Sequence, residues 1–216
     1  MPYFQRTITF DWKAGLYFKQ KTPECYGYCA DWLRSTVGSG NVFTWFSSFS
    51  KTGTVTKFDK TVRICAELTP EAQSRITSLY QSYRSNPTGG SVWGQILRGT
   101  AYQVEASVPV PITETFSGDL SRTIADYAVG MIGWSYSTDS DVSFRNHQTA
   151  VFCTSDNVHF FDPNIGLYIV DRDKFPLFFK KYYKDVVENE KSALEILRKS
   201  GFYKTIDIRG VSLIFT

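Results

Sequence analysis

The chain is poor in the residues from which disulfide frameworks and metal clusters are built. Its 216 residues include four cysteines and two histidines. Small domains that depend on disulfides are far denser in cysteine, so we expect reduced thiols in this chain. Cys65 and Cys153 lie in apolar, strand-like segments, where a buried and unreactive thiol is the usual outcome. The thiols left as candidates for chemistry are those of Cys25 and Cys29.

The chain also lacks a strong charge of one sign and a long apolar run. Its formal net charge at pH 7 is +3 and its sequence pI is near 8.6, with basic residues scattered among acidic ones. This balance predicts no nucleic-acid partner. No window reaches the ~18 consecutive apolar residues of a membrane span. Residues 1–5 show no charged region followed by an apolar core, so we expect a soluble chain without a Sec-type signal.

What the chain has in quantity is apolar and aromatic side chains, at 42% and 16% of its residues. This content is enough to bury one full core, and we interpret residues 1–216 as a single domain.

The elements predicted along the chain alternate in type without a repeat. We expect strands around a turn in residues 3–19, a helix from Tyr28 to Ser35, and a second helix opened by Thr69-Pro70-Glu71. Later segments predict a strand at 102–110, a helix opened by residues 117–120, strands at 128–136, 148–153, 158–161 and 167–170, helices at 174–188 and 191–200, and a closing strand or hairpin at 204–215. This order favours an α+β fold in which a helix-rich first half packs on a mainly antiparallel sheet.

One cysteine lies where a loop is predicted to turn into a helix. The segment is Gly27-Tyr28-Cys29-Ala30-Asp31-Trp32-Leu33. Helix starts favour negative charge, because their N–H groups and aligned peptide dipoles stabilise an anion, and this lowers the pKa of a cysteine there. Cys29 is therefore the candidate nucleophile.

A distant segment supplies the two groups that a nucleophilic cysteine needs. His147 leads one predicted strand and Asp162 ends the next, 15 positions later, so the two can meet across the meander. An imidazole can hold a thiolate as an ion pair and later protonate the leaving amine, while a carboxylate fixes the tautomer of the imidazole. His159 would share a strand face with Phe161, and we interpret it as structural.

These motifs resemble the YopT/AvrPphB-type cysteine proteases, bacterial effectors with a papain-like fold. The resemblance rests on a Gly-x-Cys before a helix with Trp or Leu in its first turn, on a His leading a strand, and on an aromatic-Asp-Pro-Asn-x-Gly segment, here residues 160–166. The spacings of 118 from Cys29 to His147 and of 15 from His147 to Asp162 fit that family. The match covers about a third of the chain, mostly residues 25–36 and 126–185.

The resemblance implies a papain-like thiol hydrolase with Cys29 as nucleophile, His147 as general base and acid, and Asp162 as the partner that orients the imidazole. It implies a monomer without a cofactor or metal, which cleaves a host protein. It also implies secretion by a bacterium without a Sec signal and action in the host cytosol, as a virulence effector or as one domain of a larger toxin.

The side-chain donor for the oxyanion is the point where the chain departs from the papain-like pattern. Such sites use a side-chain amide several residues before the cysteine, but Pro23 and Glu24 stand there. Gln20 is the nearest amide, and an exposed loop glutamine is the alternative interpretation of it.

Several alternatives stay open from the residues alone. The same triad serves a glutamine deamidase or transglutaminase, and a papain-like scaffold without catalysis could be a binding module. A zinc site of Cys25, Cys29, His147 and His159 is disfavoured, because Cys-x-x-x-Cys is not a usual zinc spacing. The aromatic and basic helix at 174–184 allows membrane contact, although its aromatic face is more simply assigned to the core.

Overall fold

A computed structural model describes twelve stretches of the chain. They are residues 4–10, 25–48, 55–58, 61–64, 68–86, 90–102, 108–110, 123–124, 127–137, 145–163, 165–182 and 207–215.

The helices of these stretches lie mainly in the first half of the chain. They are α1 (Cys25–Ser39), α2 (Pro70–Ser85), α3 (Gly90–Ile96) and α4 (Phe175–Tyr182), with 3₁₀ turns at Thr44–Ser48 and Arg172–Lys174. The predicted start of α2 is confirmed: the Thr69 side chain accepts a hydrogen bond from the N–H of Ala72, and Pro70 occupies the first turn. None of the helices described is long and apolar enough to cross a membrane.

The described strands form one sheet. They are β1 (Phe4–Phe10), β2 (Val55–Phe58), β3 (Thr61–Ile64), β4 (Val108–Val110), β5 (Val129–Ser137), β6 (Arg145–Cys153), β7 (Asn157–Asp162), β8 (Gly166–Asp171) and β9 (Asp207–Phe215). Their order is β2-β3-β1-β8-β7-β6-β5-β9-β4. The pair β1 and β3 is parallel and the other pairs are antiparallel. The predicted α+β class with a mainly antiparallel sheet is confirmed.

The sheet carries helices on both of its faces, as β7 shows. Phe161 joins a buried core with residues of α1, α2 and α3, whereas its neighbour Phe160 packs against aromatic side chains of α4. This follows from strand geometry, since successive side chains point to opposite faces. The helical layer containing α1 is the one predicted from the first half of the chain.

Two local predictions were wrong in their bounds, and one helix was not predicted. Helix α1 begins at Cys25 instead of Tyr28 and continues past Ser35 to Ser39. Helix α3 was not predicted, because Gly90 and Gly94 lower helix propensity, and burial of Val92, Trp93 and Ile96 decides the structure instead. The strand predicted from Tyr102 is present only at residues 108–110 among those described.

Other predictions fall outside the described residues. These are the second strand of residues 3–19, the helix opened by residues 117–120 apart from residues 123–124, which are helical, the end of the helix after Tyr182 and the helix at 191–200.

Candidate active site

Cys29 lies inside the fold, against strand β6. Its side chain is fully buried, and its thiol donates a hydrogen bond to the backbone carbonyl of Gln148, with 3.3 Å between sulfur and oxygen. Gln148 directly follows His147 on β6. The contact therefore brings the candidate nucleophile to the strand residue next to the candidate base, although 119 positions separate Cys29 from Gln148.

A pair of stacked rings sets the position of α1 on the sheet. The rings of Trp32 and Phe161 stack with centroids 5.0 Å apart and an interplanar angle of 17°. Trp32 lies three positions after Cys29, and Phe161 directly precedes Asp162. The indole N–H of Trp32 also donates to the carbonyl of Val42 at 3.2 Å, which satisfies its polar atom inside the core. The stack thus holds the cysteine helix next to the end of β7.

Asp162 is a fully buried carboxylate at the end of β7. Its oxygen Oδ2 accepts a hydrogen bond from the hydroxyl of Tyr182 at 2.6 Å. The β6–β7 ladder ends at the pair Ala150 and Phe161, the residue directly before Asp162. Asp162 is also close enough to Cys29 for its charge to contribute to the raised pKa of the thiol. The bond to Tyr182 places this carboxylate on the α4 side of β7, and its effect on the thiol comes after those of burial and Cys25.

His147 is placed by the backbone pairing of its strand. It belongs to β6 and lies opposite Trp134 of β5. Along β6 it lies three positions before Ala150, the residue at which the pairing with β7 ends. The predicted oxyanion donor, Gln20, lies outside the described residues.

The thiol of Cys29 has a high pKa in this arrangement. Burial raises its pKa well above the ordinary value, and the neighbouring Cys25 and Asp162 raise it further. The expected lowering of the pKa by a helix start was wrong, because α1 begins at Cys25 and Cys29 is in the second turn. The dipole effect fades within the first turn. Ionisation of this thiol therefore requires a nearby base.

Cys25 is the cysteine that occupies the helix start. It is half-buried and reduced, and it lies one turn before Cys29 on α1. The helix predicted from Tyr28 left Cys25 in the preceding loop, and this was wrong because α1 begins at Cys25. Its exposure makes it the natural internal reference for the reactivity of Cys29.

The other described cysteine and histidine make local contacts away from Cys29. Cys153 is buried, with its thiol 3.7 Å from the carbonyl of Ile124, and burial raises its pKa to about 11. His159 has its Nδ1 3.1 Å from the carbonyl of Phe152, and burial lowers its pKa. Within the described ranges, no group of three His, Cys, Asp or Glu side chains could hold a metal ion.

A buried carboxylate on α1 connects three elements around the cysteine helix. Asp31 accepts hydrogen bonds from Arg34 at 2.8 Å, from Arg75 of α2 at 3.3 Å, and from the indole N–H of Trp45 at 3.0 Å. Two arginines and an indole satisfy the buried charge. Asp31 therefore ties α1 to α2 and to the 3₁₀ turn at Thr44–Ser48.

Sequence reasoning missed three residues of this region: Gln148, Tyr182 and Asp31. Gln148 could have been noticed because it adjoins His147. Tyr182 follows Asp162 by 20 positions and stood among many aromatic residues of its helix. Asp31 was quoted only as part of the cysteine motif, and no local pattern links it to Arg75.

The chain matches no family model and no curated protein. Among solved structures, it is similar to the crystal structure of Pseudomonas avirulence protein AvrPphB. The two chains are 16% identical, with a TM-score of 0.45, over 91% of this chain and 94% of the other.

Proposed function

We propose that this protein is a papain-like cysteine hydrolase that cleaves peptide bonds in a protein substrate. The observation that carries the proposal is the 3.3 Å contact between the sulfur of Cys29 and the carbonyl of Gln148, the residue after His147. The charge of Asp162 contributes, after burial and Cys25, to the raised pKa of the same thiol. In this proposal Cys29 is the nucleophile, His147 the general base and acid, and Asp162 the group that orients the imidazole.

The proposed reaction begins with proton transfer from the Cys29 thiol to the His147 imidazole. Because burial disfavours an isolated thiolate, the thiolate forms as an ion pair with the imidazolium. The sulfur then attacks the carbonyl carbon, and the imidazolium protonates the leaving amine to give a thioester. A water molecule, deprotonated by the same imidazole, hydrolyses the thioester and restores the thiol.

The wider assignment follows the resemblance of the motifs. The substrate is a host protein, and the enzyme acts as a secreted virulence effector in the host cytosol, as a monomeric domain of residues 1–216 without a cofactor. Gln20 and backbone N–H groups are the proposed oxyanion donors. A glutamine side-chain amide passes through the same thioester, so deamidation or transglutamination uses the same three residues.

A second function is favoured by one observation, the complete burial of Cys29. A thiol that donates to a backbone carbonyl and has a raised pKa also suits a buried core residue. In that case the chain is a non-catalytic binding module on the same scaffold, and Cys29 serves only packing.

Treatment of a eukaryotic cell lysate, followed by mass spectrometry of its peptides, tests the proposal. We expect new peptide termini with the parent protein and none with Cys29→Ala or His147→Ala. Conversion of glutamine to glutamate, without new termini, would assign the deamidase reaction instead. If the parent and Cys29→Ala give the same peptides, the protein is not a cysteine hydrolase and the binding module remains.

Cys25→Ser is the matched control, since it changes a neighbouring thiol on the same helix. It should leave the set of cleaved peptides unchanged. Circular dichroism of all four proteins ensures that a loss of cleavage does not come from unfolding.

A further inference from the structure

The carboxylate of Asp162 has a partner that the proposed triad does not include. The hydroxyl of Tyr182 donates to its Oδ2 across 2.6 Å, and the exposed fractions of the two residues are 4% and 0%. A distance in this range is typical of a hydrogen bond between a hydroxyl and a carboxylate. Such bonds are about twice as strong as those between neutral groups.

The ring of Tyr182 is held in place by its neighbours. It meets Phe160 edge to face, with centroids 4.7 Å apart, and lies against Phe178 of α4 at 6.1 Å. Phe160 is two positions before Asp162 on β7 and packs on the same α4 helix. Because the ring is fixed in this cluster, the hydroxyl is directed at Asp162 before any substrate binds.

We propose that Tyr182 is a positioning residue that fixes the carboxylate of Asp162 for its interaction with His147. The proposal rests on the function proposed above. The hydroxyl occupies Oδ2 and restrains rotation of the carboxylate, so that Oδ1 receives the imidazole N–H. Helix α4, on the face of the sheet away from α1, thereby contributes to the geometry of the site.

The simpler explanation is that Tyr182 only satisfies a buried carboxylate. Both explanations predict lower stability when the hydroxyl is removed, because a buried acceptor loses its donor. They differ in catalysis. A positioning role stabilises the imidazolium, and with it the ion pair and the transition state, whereas a purely structural role leaves the chemistry of folded molecules unchanged.

Tyr182→Phe separates the two explanations, since it keeps the ring and removes only the hydroxyl. With a peptide cleaved by the parent, we expect kcat to fall by ~10-fold and KM to stay unchanged, as for other hydrogen bonds behind a catalytic group. We also expect the alkaline limb of the pH profile of kcat to move to lower pH, because a less ordered carboxylate stabilises the imidazolium less.

Phe175→Leu is the control, because it trims a buried ring of the same cluster that packs on Phe160, Phe178 and Phe179 and removes no polar group. Assays are performed well below the unfolding temperature of each variant. An unchanged kcat and pH limb in Tyr182→Phe, or a loss that Phe175→Leu reproduces, would overturn the positioning role. If either outcome is found while Cys29→Ala is inactive in the same assay, the positioning role fails and the proposed function stands. If the parent shows no turnover that depends on Cys29, both proposals fail.

Discussion

Trp32 of α1 stacks on Phe161 of β7, and each ring lies close in sequence to a residue of the proposed triad. Trp32 follows Cys29 by three positions, about one helical turn, and Phe161 adjoins Asp162. Aromatic pairs of this kind contribute about 0.5–1.5 kcal/mol beyond the burial of their surface. The stacked rings thus bring together the segment around Cys29 and the segment around Asp162, which are far apart in the sequence.

The pH dependence of alkylation by iodoacetamide should distinguish Cys29 from an ordinary buried thiol. In the parent we expect labelling of Cys29 well below pH 8, because the imidazole of His147 accepts its proton. In His147→Ala no imidazole accepts the proton, and burial, Cys25 and Asp162 all keep the pKa of the thiol raised. Labelling should then require pH values above the ordinary thiol pKa of ~8.5. Peptide mapping by mass spectrometry gives the rate at each cysteine.

Cys25 serves as the reference thiol in the same samples, since it is half-buried on the same helix. Its labelling curve should be the same in both proteins. Slow labelling of Cys29 at neutral pH that does not respond to the histidine substitution would mean that the ion pair does not form.

Local signals in the sequence predicted the class of the fold and the strands that carry the candidate residues. The alternation of the strands around Ala150 and Phe160 and the cap at Thr69 are local signals, and both predictions were confirmed. The contact between Cys29 and Gln148 depends on how a helix packs on a strand far away in sequence. The bond from Tyr182 to Asp162 likewise depends on the return of α4 to the sheet, which no spacing reveals.

The start of α1 shows how tertiary contact overrides local propensity. Gly27 favoured a loop before Cys29, but it lies inside α1. At this point of the helix α2 approaches closely. A Cβ atom added at Gly27 would lie 2.4 Å from the backbone carbonyl oxygen of Ile76. A side chain is excluded there, so the glycine is required for packing and not for a turn.

Gly27→Ala should therefore destabilise the protein, although alanine favours helices. Neither helix backbone can move aside without disturbing the core, and overpacking of this kind costs about 1–3 kcal/mol. Gly38→Ala on the same helix is the control, because a Cβ atom there meets nothing within 4 Å. This substitution should raise the free energy of unfolding by up to ~1 kcal/mol, since alanine favours helices. Urea unfolding of both variants gives the two changes. Equal effects of the two substitutions would show that α1 and α2 do not pack this closely.

Asp31→Asn should lower stability by about 1–3 kcal/mol, because it removes the charge that two arginines and Trp45 surround. Arg34 and Arg75 are more than a third exposed, so water screens their charges and limits the loss of stability. The free energy of unfolding in urea measures it. Asp173→Asn, which breaks the exposed pair with Lys174, should cause no measurable change. A comparable loss in both variants would contradict the buried role of Asp31.

Stability should fall at alkaline pH, and Cys153 provides a way to measure one part of that fall. Burial raises the pKa of Cys153 from 9.0 to about 11 in the folded protein. Below pH 9 the thiol is protonated in both states and its full contribution to stability is present. As the pH rises from 9 to 11, the unfolded chain loses this proton first, so the unfolded state becomes more favourable. The thiols and phenols of Cys29, Tyr26 and Tyr83 act in the same direction.

Cys153→Val removes this titration and keeps an apolar side chain of similar size in the core. Between pH 8 and pH 11 the free energy of unfolding should fall by about 2 kcal/mol less in the variant than in the parent, given ~1.4 kcal/mol per unit of pKa difference. Urea unfolding under reducing conditions, at several pH values in that range, provides both curves. The prediction concerns how steeply the free energy of unfolding falls with pH. A loss of stability from imperfect packing of valine is the same at every pH and does not affect this slope. Parallel curves for the two proteins would show that the Cys153 thiol ionises equally in the folded and unfolded states.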